Sequence, residues 1–268
     1  MAEKIEVENW PVGSGRYQVG DKNSCVAVCT LSSLDIELPM DNIAIAGKCV
    51  TENIGMEKII KNIITNPNIR YLLLCGVEPK GHYVGQAFLC LKEDGLDENK
   101  RIVGAKGAMP FLKNLSKEQI EHFRKQVQII DMIEEENTEK IMESIKELNK
   151  NDPGTFNKSM AVNKIETIVA DYDVEKEDTA DERLDDSFFT ILVDKANNQI
   201  VVEHYTGQEK KLNKKIVGKR AEEIIGTIVR LGLVKGLYHS AYLGKELKKA
   251  EIALRLGKDY EQDKELRF

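Results

Sequence analysis

The sequence predicts an α/β protein: a mainly parallel sheet with helices on both faces, followed by a small α+β domain of ββαα order. Three observations carry this expectation. Short apolar runs of strand character alternate with segments of three-four apolar spacing through the first 150 residues or so. Glycine-bearing loops follow several of those runs, which is where an open parallel sheet gathers its ligands. Composition then breaks at 171–186, where Asp171, Asp173, Glu175, Glu177, Asp178, Asp181, Glu182, Asp185 and Asp186 crowd together before strand alternation resumes. The expected domains are 1–160 and 188–268, joined by an acidic, solvated linker over 161–187.

In chain order, Trp10-Pro11-Val12-Gly13-Ser14-Gly15 is a turn-rich entry. Residues 26–31 form the first buried strand and 43–47 a second, shorter one. Met56, Ile59, Ile60, Ile63 and Ile64 mark an amphipathic helix, capped by Thr51 or Asn53 and stopped at Asn66-Pro67. The run 71–75 is a buried strand, and Val84, Ala87, Phe88 and Leu91 place a helix after it that closes at Gly95. Residues 101–105 read as a further short strand. Ser116-Lys117-Glu118-Gln119 has capping-box form and opens a helix through Gln126. A strand over 127–132 and a helix over about 138–148 complete this half. Beyond the acidic stretch, 188–193 and 199–205 form a hairpin around Lys195-Ala196-Asn197-Asn198. Helices over 220–231 and 241–256 follow, the second capped by Ser240 and ended by Gly257.

Hydrophobic residues make up 41% and charged residues 31%, the balance of a soluble protein that can bury a core. A net charge of −6 argues against a nucleic-acid surface, and 6% aromatics offer no base-stacking platform. No run reaches the roughly 18–20 apolar residues of a membrane span. Residues 1–10 lack the apolar core of a secretory signal, so the expected location is cytoplasmic, without a direct membrane span. The five cysteines lie mostly among apolar neighbours and read as reduced, buried thiols; Cys25 and Cys29 lack zinc-pair spacing.

The stretch 72–86 runs from a solid apolar strand into a loop that holds His82 between Gly81 and Gly85. Read from the residues alone, His82 is a metal ligand, a general base, or a satisfied loop histidine. Three loops follow strands: 47–53, 76–85 and 104–110. Polar groups in the first two, Thr51 to Asn53 and Lys80 with His82, could meet a ligand. Glu52 and Asn53 read first as a helix start. The other histidines have structural readings: His122 on the surface of a charged helix, His204 on an edge strand, His239 at a helix start. No His, Cys and carboxylate cluster surrounds His82, and no G-x-G-x-x-G, Walker or G-x-S-x-G pattern occurs.

Several motifs fall in an order that resembles a known family. They are Trp10-Pro11-Val12, the run 49–58 containing Thr51-Glu52-Asn53-Ile54-Gly55-Met56, and Asn66-Pro67-Asn68-Ile69-Arg70. Cys75-Gly76-Val77-Glu78-Pro79-Lys80-Gly81-His82-Tyr83-Val84-Gly85-Gln86 follows, then Gly104-Ala105-Lys106-Gly107-Ala108-Met109-Pro110-Phe111, then Asp152-Pro153-Gly154. Over roughly residues 8–160 the chain resembles the A subunit of tetrahydromethanopterin S-methyltransferase. The resemblance implies a Rossmann-like, corrinoid-binding domain. Its cobamide, a cobalamin-type cobalt corrinoid, carries a methyl group from a methyl-tetrahydropterin held by a partner methyltransferase subunit to a thiol acceptor, coenzyme M. It also implies that His82 is the lower axial cobalt ligand, with Thr51, Glu52, Asn53, Gly76, Gly81, Gly85, Gly104 and Gly107 as corrinoid contacts.

The sequence departs from the family in two ways. The family's terminal membrane anchor has no counterpart, and the acidic linker and ββαα domain stand in its place. That domain looks like an uncharacterised module found beside pterin- and corrinoid-linked proteins. Better-known corrinoid modules use D-x-H-x-x-G, but Lys80 occupies the Asp position. The group that orients His82 is then a backbone carbonyl or another carboxylate, with Glu78 as the nearby candidate. Two alternatives stand beside the methyl carrier: a module that stores, delivers or senses corrinoid without turnover, and a loop that has lost the corrinoid and holds a nucleotide or other phosphate.

Overall fold

The computed structural model describes residues 4–33, 36–156, 159–162, 167–170, 187–207, 210–234 and 236–266. The acidic stretch 171–186 lies outside them. The chain divides into two compact units, Met1–Val162 and Asn163–Phe268.

The first unit holds strands β1 (Tyr17–Val19), β2 (Val26–Cys29), β3 (Ile45–Gly47), β4 (Tyr71–Gly76) and β5 (Gln128–Ile133). Its helices are α1 (Ile54–Ile64), α2 (Val84–Glu93), α3 (Lys117–Gln126) and α4 (Thr138–Lys150). The sheet order is β1-β3-β2-β4-β5. β2 pairs parallel with both β3 and β4, and β4 pairs parallel with β5. Only β1 runs antiparallel, at the edge.

The apolar runs are solid because both faces of the sheet are covered. Ala27, Cys29, Leu72 and Leu74 pack with Met56, Ile60 and Ile63 of α1, Phe88 and Leu91 of α2, and Ile120 and Phe123 of α3. On the other face Val26, Val28, Leu73 and Cys75 meet Ile141 and Ile145 of α4. Each large side chain so buried contributes about 2 kcal/mol by leaving water. The helix starts form as the sequence indicates: Ser116 and Gln119 make a reciprocal capping box, and Asn137 caps α4.

Two features of this unit differ from the sequence reading. β1 is only three residues long, too short for a periodic signal. Residues 101–105 are not a strand. Arg101 and Ile102 make single bridges, to Phe111 and Leu96, and the chain then turns away at Gly104, where φ is +76°.

The second unit is α+β. β7 (Phe188–Asp194) and β8 (Gln199–Thr206) form the expected hairpin. β9 (Lys211–Gly218) and β6 (Thr167–Val169) extend it to the order β6-β9-β8-β7. Lys211, Lys214 and Lys215 interrupt the apolar pattern of β9, which hides it from a reading by hydrophobicity. Helices α5 (Ala221–Arg230) and α6 (Leu237–Leu256) cover one face. Ile224, Ile228, Leu243 and Leu247 there meet Phe189, Ile191, Ile200, Val202 and Ile216. α6 begins ahead of Ser240, which lies inside the helix and donates its hydroxyl to the Gly236 carbonyl at 3.0 Å.

Because β9 pairs with β8, His204 is on an interior strand rather than an edge, and it is fully buried. Its ring stacks on Phe189 at 4.6 Å. His122 is half-buried rather than a surface residue, edge-on to Phe156 at 5.1 Å. The five thiols are free and four are buried; burial pushes that of Cys75 up to about 12, which leaves it unreactive.

Burial, helped by the nearby His239 and Lys214 charges, pushes His204 down from 6.5 to about 4. The folded unit therefore refuses a proton that the unfolded chain accepts between those two values. Stability should fall as pH drops from about 6.5 to about 4, by about 3 kcal/mol in all. Thermal unfolding across this window, in wild type and in a His204→Gln variant that cannot titrate there, measures the effect; the variant's profile should be flatter.

Candidate functional site

In the first unit the chain starts in the middle of the parallel sheet, at β2, and winds outward both ways to β3 and β4. The loops leaving β3 and β4 rise on either side of β2, both toward the face covered by α1 and α2, and bound a crevice at the carboxyl ends of the strands. One loop brings Glu52, the other His82.

Glu52 is fully buried, whereas the His82 side chain is 44% exposed. A Glu52 carboxylate oxygen lies 2.6 Å from His82 Nδ1. At that distance Nδ1–H donates to the carboxylate, which leaves Nε2 as the lone-pair nitrogen of the neutral ring. The other Glu52 oxygen accepts the Met109 backbone N–H at 2.5 Å. The imidazole is thus held in one tautomer and one orientation by a carboxylate that is itself fixed.

The loop 104–110 closes over this pair as a strap. Ala108 N–H donates to the Gly81 carbonyl at 3.2 Å. Gln86, on the first turn of α2, ties down the other end: its amide donates to the Gly104 carbonyl at 3.1 Å, and its oxygen accepts the Lys106 N–H at 3.1 Å. Gly107 packs so closely that a Cβ there would lie 2.4 Å from the His82 carbonyl oxygen and 2.7 Å from Glu52 Cγ.

The structure brings His82, Glu52, Gly81 and Gly107 together and gives the other residues different tasks. Thr51 Oγ1 accepts the Gly55 N–H at 3.1 Å and Asn53 Oδ1 the Ile54 N–H at 2.7 Å, so both build the start of α1. A Cβ on Gly76 would meet the Thr30 carbonyl, one on Gly85 the Ile133 side chain, and one on Gly104 the Cys90 sulfur. Those three glycines face protein. A Cβ on Gly81 would meet nothing within 4 Å, so that position borders open space.

Glu78 does not orient His82. Its oxygens accept the N–H groups of Gly85 and Gln86, at 3.1 and 2.7 Å, and cap α2. The anion position at that helix start is filled by the protein's own carboxylate. Glu52 takes the orienting role, from 30 residues upstream. Two further contributors, Met109 and Gln86, carry no signal in the sequence. Met109 acts through its backbone, which leaves no side-chain signature, and Gln86 through two bonds to a loop remote in sequence. Among the described residues no group of three or more His, Cys, Asp or Glu forms a metal cluster, so a metal here would rest on His82 alone.

Five large apolar residues stand on the loops around the crevice with more than a third of their surface exposed: Val50, Val77, Tyr83, Val103 and Met109. Of these, Tyr83 adjoins His82 in the chain and Met109 bonds Glu52 through its N–H, so both stand beside the oriented imidazole.

Residues 3–172 match the family model of the A subunit of tetrahydromethanopterin S-methyltransferase. The chain belongs to this family. A second model, described as PterinBD-DUF4346, matches residues 185–263. Of two such A subunits in Methanobrevibacter ruminantium, the one numbered 2 is 49% identical over 166 residues, 61% of this chain and 86% of that protein. The A subunit numbered 1 in Methanothermobacter thermautotrophicus is 46% identical over 168 residues, 62% of this chain and 71% of its own length. The family member of Methanosphaera stadtmanae is 39% identical over 233 residues, 85% of this chain and 94% of that protein. Among the described residues no helix is long and apolar enough to cross a membrane.

The strap should not tolerate a side chain at Gly107. Gly107→Ala is expected to cost about 1–3 kcal/mol by overpacking and to break the Met109–Glu52 bond. Chemical denaturation gives the first quantity, and faster hydrogen exchange at the Met109 amide reports the second.

Proposed function

We propose that this chain is a cobamide-binding methyl carrier. It would accept a methyl group on the cofactor's cobalt from a methyl-tetrahydropterin held by a partner methyltransferase subunit, and pass it to a thiol such as coenzyme M. The carrying observation is the Glu52–His82 contact at 2.6 Å, which would leave the imidazole's other nitrogen free to hold a metal. Membership of a methyltransferase subunit family supports the reaction class.

The residues fit a corrinoid. A histidine that donates one ring N–H to a carboxylate is the usual metal-ligating arrangement, and the carboxylate raises the basicity of the other nitrogen. Open space beside Gly81 and the exposed apolar side chains of Tyr83 and Met109 would receive the macrocycle. When bound, the cofactor supplies a strongly nucleophilic reduced cobalt, which no amino acid provides. His82 would hold the metal through Nε2, Glu52 would hold His82, and Met109 N–H would hold Glu52. A nucleotide or free phosphate fits less well, because Glu78 occupies the anion position at the start of α2.

In protein reconstituted with hydroxocobalamin, His82→Ala should abolish the imidazole-coordinated visible spectrum and, after chemical reduction to the paramagnetic Co(II) state, the imidazole-nitrogen splitting of the electron-paramagnetic spectrum. An unchanged cobalt spectrum would refute the axial role. Glu52→Gln keeps an acceptor but removes the charge, and should weaken cobalamin binding about 10–100-fold. Turnover is tested by adding a competent partner methyltransferase and methyl-tetrahydromethanopterin. Binding without methylation would favour corrinoid storage, delivery or sensing instead.

A further inference from the structure

The second unit closes one edge of its sheet with its own C-terminal segment. β7 is an edge strand in the order β6-β9-β8-β7. It opens with Phe188-Phe189-Thr190-Ile191-Leu192-Val193, which is apolar except for Thr190 and carries no charge before Asp194. An uncharged run of this length and β-propensity is the sequence type that pairs with copies of itself when its edge is open. The opposite edge strand, β6, is only three residues long.

Along β7, residues alternate between those bonded to β8 and those whose N–H and C=O point outward. Ile191 belongs to the outward set, because its N–H donates to the Gln262 side-chain oxygen at 2.9 Å. The Gln262 amide nitrogen donates in turn to the Phe189 carbonyl at 3.2 Å and to Tyr242 Oη at 3.1 Å. One carboxamide thus makes on β7 the two kinds of bond that the peptide groups of a neighbouring strand would make. Earlier in the same segment, Asp259 pairs at 2.7 Å with Lys195, just past the end of β7. The chain from 259 to 262 therefore runs back along β7, from Lys195 toward Phe189. It is pinned from behind by α6. Tyr260 Oη donates to the buried Glu246 at 3.0 Å, the Asp263 N–H donates to the same oxygen at 3.2 Å, and Tyr242 Oη donates to Asp263 at 2.6 Å. Residues 258–263 form no strand, so they cover the edge without presenting a new one.

We propose that segment 258–263 is an edge guard. It blocks self-association of the chain through β7, and when it is removed β7 pairs antiparallel with β7 of a second copy. Such a pairing about a twofold axis needs only one self-complementary surface. Gln262 holds Ile191, the middle residue of β7, which is where that axis would pass. The guard does not rest on the corrinoid reading, since every residue in it belongs to the second unit.

The test compares the full chain with a chain ended after Lys258, by sedimentation over a concentration series and by amide hydrogen exchange. The shortened chain should show concentration-dependent association beyond that of the full chain, with protection of the Ile191 and Val193 amides rising alongside it. Val193→Pro in the shortened chain should abolish the added association, because proline is tolerated on an edge strand but removes an outward N–H. In the full chain, Gln262→Leu should speed exchange at the Ile191 amide about tenfold and add association, whereas Gln262→Glu keeps the acceptor and should retain the protection. A folded shortened chain that associates no more than the full chain, added association that survives Val193→Pro, or unchanged Ile191 exchange in Gln262→Leu would overturn the proposal. If the shortened chain fails to fold, Gln262→Leu decides alone: faster exchange with new association supports the guard, and faster exchange without it overturns it.

Discussion

The hydrogen-bonded contact between Glu52 and His82 is the constraint on which the site depends. Glu52 is fully buried, and a carboxylate out of water is costly unless its oxygens are answered. His82 Nδ1 answers one oxygen and Met109 N–H the other. For Met109 to reach, the strap 104–110 must lie across the crevice. That closeness leaves no room for a Cβ at Gly107, and Gln86 holds the strap's far end. One buried carboxylate thus fixes three loops that are far apart in sequence.

The sheet makes this possible. Because β2 lies between β3 and β4, the loops after those two strands leave toward the same face, that of α1 and α2, one strand apart, and Glu52 and His82 meet there. The sheet is rigid because α1, α2 and α3 cover one face and α4 the other. The helix starts beside the crevice are capped from within, by Thr51 and Asn53 on α1 and Glu78 on α2. The His82 imidazole, by contrast, is 44% exposed, with the exposed Tyr83 next to it in the chain. The second unit contrasts with this: His204 is buried deep in its core, while the exposed start of α6 has no side-chain cap.

Much of the fold is legible because local patterns and burial agree. Strands covered on both faces are solid apolar runs, as at 71–75, and helices covered on one face show three-four spacing, as from Met56 to Ile64. The elements that escape have no such agreement. β1 and β6 are three residues each, and β9 carries lysines on an otherwise strand-like run. At 101–105 an apolar run packs as part of a strap, because no neighbouring strand is available for more than a one-residue pairing. His204 reads as an edge residue only as long as the strand that encloses it, β9, goes unrecognised.

By itself the sequence determined the α/β class, the positions of the principal helices, the family, and the loop that presents His82. Those follow from short-range periodicity, capping residues and ordered motifs, all of which are written locally. Only the tertiary structure decided which group orients the imidazole. The choice between Glu78, four residues away, and Glu52, thirty residues away, depends on strand order and on which carboxylate is already taken by a helix start. Hydrogen bonds between distant loops leave no periodic trace, so the pairing appears only once the sheet has placed both loops over the same strand.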